Sequence, residues 1–254
     1  MLTEVVEIVK KAKQFMVTDG FEIIQKDGIE NIVTSSDVAV QNFLIDNLKG
    51  LIPGCGFYCE ENDLWDSSHE YTWIIDPIDG TANYSRGIDQ CAICVGLKYK
   101  SEMILGVVYL PRTNELFCAE KGKGATLNGK SIRVSDRSFK NGMLCAAMSV
   151  YHKQYARTCS EIIYDAYMQC NDFRRFGAAA PEICYLAMGR CEMFFEYQLS
   201  PWDYAAASVI LTEAGGYLSD LHAQAPQFTK PTGIIAANSK ENLSKMQEIV
   251  ISKL

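Results

Sequence analysis

Apolar positions recur along the chain in three distinct rhythms. Over residues 4–17, Val5, Ile8, Val9, Ala12, Phe15 and Met16 fall at helical spacing with lysines on the other face, which predicts an amphipathic helix. A second helix is predicted from Ser36 or Asp37 through "VAVQNFLIDNLKGL", stopped by Pro53-Gly54. Short β-branched and aromatic runs then dominate: "GFYCE", "YTWIID", "QCAICVGLKY", "MILGVVYL" and "NELFCAE" read as strands, with "KSE" as a hairpin link. Asn128-Gly129 marks a tight turn.

Beyond about residue 145 strand and helix patterns alternate. "SEIIYDAYMQC", "PEICYLAMGR", "WDYAAASVILTEAGG" and "KENLSKMQEIVISKL" read as helices, the third with a glycine C-cap at Gly215 or Gly216. "CEMFFEY" and "GIIAAN" read as strands. The expected organisation is an α+β lobe over 1–145 and an α/β lobe over 146–254, packed as one unit.

Composition narrows the function classes. The chain has 254 residues, 48% apolar and 22% charged, with a formal net charge of −7. This suits an ordinary globular protein and argues against general nucleic-acid binding through a basic surface. Neither a secretory h-region nor a membrane-spanning run is visible, so the expectation is a cytoplasmic protein with no membrane contact. Ten cysteines are scattered singly through apolar stretches and read as reduced, buried thiols. Cys91 and Cys94 form a C-x-x-C, but no second pair stands at zinc-finger spacing.

Candidate chemistry concentrates in "WIIDPIDGTANYSRG", Trp73 to Gly87. Asp76 and Asp79 stand three apart at the end of a buried strand. No closing Glu is placed for an EF-hand, and the spacing is wrong for the D-x-D of a phosphoaspartate phosphatase. Two readings remain: a pair of turn-forming aspartates, or a hard-cation site beside a helix N-terminus at Gly80-Thr81 that favours an anion.

Four segments in order tip that balance. "NIVTSSD", "YCEEND", "DPIDGTANY" and "PWDYAAASVILTEAGG" resemble the V-T-x-x-D, G-E-E, D-P-I-D-G-T-x-N-F and W-D-x-A-A…E-A-G-G elements of the inositol monophosphatase family. The resemblance runs from about Lys26 to the C-terminus. It implies a layered α-β-α-β-α sandwich of the inositol monophosphatase and fructose-1,6-bisphosphatase type, often a homodimer. It also implies a Mg²⁺-dependent phosphomonoesterase acting on inositol monophosphate or a similar small polyol or sugar phosphate, with two or three Mg²⁺ per site. Glu60, Asp76 and the Ile78 carbonyl would hold one ion, and Asp76, Asp79 and Asp203 a second. Thr81, oriented by Asp37, would polarise the attacking water, with Glu60 in the catalytic set. Asp79, Gly80, Thr81, Gly177, Ala179 and Glu196 would meet the substrate.

The sequence departs from the family pattern in places. Cys59 stands for a usual Gly, which leaves Glu60 or Glu61 as ligand, with Glu60 preferred. Ala178, Pro181 and Glu192 replace a frequent Ser, a Leu and an Asp. Glu196 reads equally as a surface charge, and Arg174-Arg175 as a solvated pair, an interface or a second phosphate contact. The alternatives are a phosphatase of 3′-phosphoadenosine 5′-phosphate or of fructose-1,6-bisphosphate in the same superfamily, or a non-catalytic regulator that binds the transcription machinery.

Overall fold

The computed structural model describes residues 1–17, 20–25, 32–61 and 69–254. Asn31, which opens one family-like motif, and Asn62-Asp63, which close another, lie outside these residues. Helix α1 (Leu2–Ala12) continues into a 3₁₀ turn over Lys13–Phe15. The helical stretch is therefore close to the expected one, with its last turn tightened. A small hairpin, β1 (Ile23–Gln25) with β2 (Ile32–Thr34), leads into α2 (Ser35–Leu48).

Among the described residues a seven-stranded sheet follows, in the order β3 (Gly56–Cys59), β4 (Tyr71–Asp79), β5 (Ala92–Tyr99), β6 (Glu102–Leu110), β7 (Glu115–Glu120), β8 (Ala125–Leu127) and β9 (Lys130–Ile132). Only β3 and β4 pair in parallel. A short helix α3 (Thr81–Ser85) caps the end of β4. The expected three-residue "KSE" link is a two-residue turn, because Glu102 already belongs to β6 and pairs with Tyr99.

The second sheet is mixed. Its order is β11 (Asp172–Arg174), β10 (Met143–Ala146), β12 (Met193–Leu199), β14 (Thr232–Ala237) and β13 (Tyr217–Ser219). β10 runs parallel to both neighbours, whereas β14 is antiparallel to β12 and β13. Helices α4 (Ala156–Tyr167), α5 (Ala179–Ala187), α6 (Pro201–Glu213) and α7 (Lys240–Ile251) accompany it.

The layers follow from side-chain alternation. Along β4, Trp73 and Ile75 pack against Val5, Val9, Val40 and Leu44 of α1 and α2. Ile74 points the other way, into a core shared with α5, α6 and Phe194 of β12. The residues on either side of Phe194 in β12, Met193 and Phe195, face Ile162, Met246 and Val250 of α4 and α7. Period-two alternation with both faces covered produces the near-continuous apolar strands seen in the sequence. The result is the α-β-α-β-α sandwich.

Helix α6 lies between the two sheets and is buried around most of its circumference from Tyr204 to Leu211, which explains why its sequence lacks a polar stripe. Its backbone sits so close to β6 that a Cβ at Gly106 would lie 2.1 Å from the Ala206 carbonyl. At its C-terminus the Gly215 and Gly216 N–H groups return to the Thr212 and Leu211 carbonyls, a Schellman closure with Gly215 in the left-handed position.

Candidate active site

The odd spacing of Asp76 and Asp79 is resolved by a β-bulge. Side chains three apart on a regular strand point to opposite faces. Here Asp76 pairs with Cys94 and Asp79 with Ala92, three steps on β4 against two on β5. The extra residue brings both carboxylates to one side. Pro77 fits because a bulge does not require its missing N–H. Both side chains are buried, at 2% and 7% exposure.

Helix starts supply the rest. Asp37 is the third residue of α2 and accepts from the Thr34 N–H at 2.8 Å and the Thr34 hydroxyl at 2.5 Å, within a capping box. Asp203 holds the same place in α6 and accepts from the Ser200 N–H at 2.7 Å. Asp79 accepts from the Ala179 and Ala180 N–H groups at 3.3 and 2.7 Å, at the start of α5. Three acidic residues thus sit at the positive ends of three helices, where a negative charge is favoured. Thr81 opens α3, and its hydroxyl lies 3.0 Å from the Ile78 carbonyl and 3.2 Å from Asp37 Oδ1. The turn before it needs glycine: Gly80 has φ +84°, and a Cβ there would stand 2.9 Å from both the Ala178 Cβ and the Gln90 carbonyl.

The carboxylates crowd one another. Burial first, then the charges of Glu60, Asp79, Asp203 and Asp37, hold Asp76 well above the usual carboxylate range. Asp203 is raised by burial, Asp79 and Glu60. Burial lifts Asp79 to about 7 against the pull of the Ala180, Ala179 and Gly80 N–H groups. Glu60 acts on Asp76 and Asp203, whereas the charge of Glu61 is felt by Asp37. Gln41 fixes the Glu61 backbone through both its N–H and its carbonyl, at 2.9 and 2.7 Å. Cys59 sits in β3 without a left-handed φ, so the absence of the family's glycine strains nothing.

Among the described residues, no three His, Cys, Asp or Glu side chains are already closed around one point for an ion. The donor chemistry nevertheless fits a hard cation. Asp76 Oδ1 is buried with no hydrogen-bond donor. After burial, what raises Asp76 most is the charge of four carboxylates, Glu60, Asp79, Asp203 and Asp37. Buried charges of one sign need a counter-charge. An all-oxygen set of Glu60, Asp76, Asp79, Asp203 and the Ile78 carbonyl suits Mg²⁺.

A sequence profile described as the inositol monophosphatase family matches residues 2–253. The chain belongs to the inositol monophosphatase family. It is 37% identical over 211 residues to "Nus factor SuhB" of Escherichia coli strain K12, which covers 82% of this chain and 79% of that protein. Among solved structures it resembles the extragenic suppressor protein suhB from Bartonella henselae, with TM-score 0.89, 29% identity and coverage of 98% and 97%. It also resembles the Thermotoga maritima IMPase, with TM-score 0.85, 27% identity and coverage of 98% and 95%.

The residues expected from the family resemblance to meet the substrate, Gly177, Ala179 and Glu196, fall within the segment from β11 through β12. Gly177 donates its N–H to Glu182 Oε1 at 2.9 Å, and the Phe176 N–H joins it at 2.6 Å. Ala179 and Gly80 direct their N–H groups to Asp79. Glu196 lies on β12 at a register shift, half-buried, and is raised to about 8 by burial and by Glu182 and Asp79, with Arg175 opposing. It is therefore not a plain surface charge. Arg174 pairs with Asp172. Glu192 is structural: it accepts from Arg137 at 2.6 Å, Ser135 at 2.7 Å and the Met143 N–H at 2.7 Å. Sequence reasoning missed Glu182, a buried carboxyl whose Oε2 has no partner. Its signal was an acidic residue inside the apolar run "AAPEICYLA". No helix among the described residues is long and apolar enough to cross a membrane.

Proposed function

We propose that this chain is a Mg²⁺-dependent phosphomonoesterase acting on inositol monophosphate or a similar small polyol phosphate. The observation that carries the reading is the bulge at Pro77-Ile78, which sets Asp76 and Asp79 on one side with Asp76 Oδ1 unpartnered. Glu60, Asp76, Asp79, Asp203 and the Ile78 carbonyl would hold the metal. Bound Mg²⁺ lowers the pKa of water and offsets charge on a phosphoryl group.

The chain's own groups do the rest. The single proton of Thr81 is directed to Ile78 or Asp37, so the lone pairs of its hydroxyl remain to accept from a water molecule and orient it. Asp37 is held by Thr34 and the start of α2, so it cannot turn away from Thr81. The first turn of α3 presents N–H groups and a positive dipole end toward a phosphate. Glu196, near neutrality in its titration, both donates to and accepts from substrate hydroxyls. Gly177 and Ala179 shape the wall beside it. In solution the protein is expected as a homodimer.

A second reading has specific support. The E. coli relative is named a Nus factor, and the corresponding role here is a regulator that binds the transcription machinery. It does not exclude hydrolysis, because Glu60, Asp76, Asp79, Thr81 and Asp203 are all present in the chain. A phosphate-release panel with Mg²⁺ over inositol 1-phosphate, fructose 1,6-bisphosphate and 3′-phosphoadenosine 5′-phosphate tests the first reading. Turnover of inositol phosphate above the others supports it. No turnover of any ester would leave the regulator reading standing alone.

A further inference from the structure

Asn83 takes no part in the chemistry described above, yet it joins three segments of the site. It is the third residue of α3. Its carbonyl accepts from the Arg86 and Ile88 N–H groups at 3.1 and 3.0 Å, which closes the turn after the helix. Its side-chain nitrogen donates to the Gln90 carbonyl and to the Phe176 carbonyl, both at 2.7 Å. Gln90 leads into β5, whereas Phe176 lies 93 residues away in the chain, just before α5. At so short a reach from the backbone, only a primary amide puts two donors on one atom.

The segment that Asn83 grips is held from two sides. Phe176 gives its N–H to Glu182 and its carbonyl to Asn83. Gly177, with φ +84°, lies directly against the amide: a Cβ there would stand 3.3 Å from Asn83 Nδ2. Packing does not hold this segment by itself, because Gln90 and Phe176 also line a cavity of about 260 Å³. Groups beside a void lack the contacts that would otherwise fix them. The hydrogen bonds from Asn83 and to Glu182 therefore set where Phe176 and Gly177 lie. Helix α5 beyond them is buried along its whole length, and its own packing keeps the Ala179 and Ala180 N–H groups on Asp79.

We propose that Asn83 is a positioning residue: through the Phe176 carbonyl it holds Gly177, on the polyol side of the site, in register with Asp79 and Thr81. The inference rests on the phosphomonoesterase reading and adds to it a residue that touches neither metal nor ester. Loss of the amide loosens the wall and spares the carboxylates. Binding lost equally from the ground state and the transition state raises KM and leaves kcat unchanged.

The test combines kinetics on inositol 1-phosphate, calorimetry of inorganic phosphate at saturating Mg²⁺, and hydrogen exchange read by mass spectrometry. The proteins are wild type, Asn83→Ala, Asn83→Asp and the milder Asn83→Ser. In Asn83→Ala, KM should rise about tenfold, the scale of one neutral hydrogen bond. Its kcat should stay within about threefold, and its phosphate affinity within about twofold, of wild type. Asn83→Asp keeps the shape but sets a carboxylate against two carbonyls, so its KM should rise at least as far. Asn83→Ser cannot reach both carbonyls and should show the same split. In each variant, peptides spanning Phe176 and Gly177 should exchange about tenfold faster while α7 exchanges as in wild type. KM within about twofold of wild type in the variants that fold, or a fall in kcat at unchanged KM, overturns the assignment. Faster exchange spread evenly over the chain, or failure of all three variants to fold, also overturns it, since the role would then be a general structural one. Wild type that hydrolyses no ester overturns the hydrolase reading instead, and exchange at Phe176 and Gly177 still decides Asn83.

Discussion

The Thr81 hydroxyl stands 3.2 Å from Asp37 Oδ1, across a separation of 44 residues. The contact joins the first turn of α3 to the first turn of α2. Asp37 divides its labour: Oδ2 caps its own helix through Thr34, and Oδ1 faces Thr81. The same residue thus fixes a helix terminus and aims a hydroxyl. Removing the hydroxyl separates the two roles.

Thr81→Ala should lower kcat by about 10²-fold, the scale of one positioned proton-handling group. Thr81→Ser keeps the oxygen and should recover most of that loss. Mg²⁺ affinity, measured by calorimetry, should stay near wild type in both, because Thr81 is assigned to the water. Lost Mg²⁺ binding in Thr81→Ala would contradict the role.

Gly80→Ala should destabilise the protein by at least about 2 kcal/mol, because a left-handed φ and a close approach act together. Its Cβ would press on the backbone carbonyl of Gln90, which has no rotamer to yield. Urea denaturation reads the loss. A variant within about 0.5 kcal/mol of wild type, the range of ordinary surface changes, would mean that the turn relaxes freely.

Glu182 predicts a pH dependence. Burial raises it from 4.5 to about 7 against the Gly177 and Phe176 N–H groups. The folded state therefore binds its proton more tightly than the unfolded state does. Its contribution to stability is fully present below about pH 4.5 and is lost as pH rises through about 7, on the order of 3 kcal/mol in all. Glu182→Gln keeps an acceptor for the two N–H groups and has no proton to lose. Its stability relative to wild type should rise with pH over that window in denaturant titrations. A gap that is constant with pH would contradict the shift.

Much of this was legible in the sequence because the signals are local. Helical spacing located α1 and α2, and the unbroken apolar runs marked strands buried on both faces. The bulge was not legible: D-P-x-D states a spacing, and only the pairing of Asp76 with Cys94 and Asp79 with Ala92 shows how both carboxylates reach one side. The short strands β10, β11 and β13 were missed, since three or four residues carry too little periodicity and are defined by their partners. Glu182 was passed over because it looks like part of a helix pattern; its role shows only once the turn before α5 brings the Phe176 and Gly177 N–H groups onto its buried carboxylate.

The most direct test of the central claim is a Mg²⁺ titration of wild type and Asp76→Asn, following the thermal midpoint and phosphate release from inositol 1-phosphate. Asp76 is the buried carboxylate with an unpartnered oxygen, crowded by like charges. Without metal, Asp76→Asn should be at least as stable as wild type, because the substitution removes one of the repelling charges. With Mg²⁺ at about a hundred times Kd, wild type should gain about 2.7 kcal/mol and begin to turn over. Asp76→Asn should show neither response. Hydrolysis by wild type in excess chelator, or an Asp76→Asn response equal to that of wild type, would contradict the account.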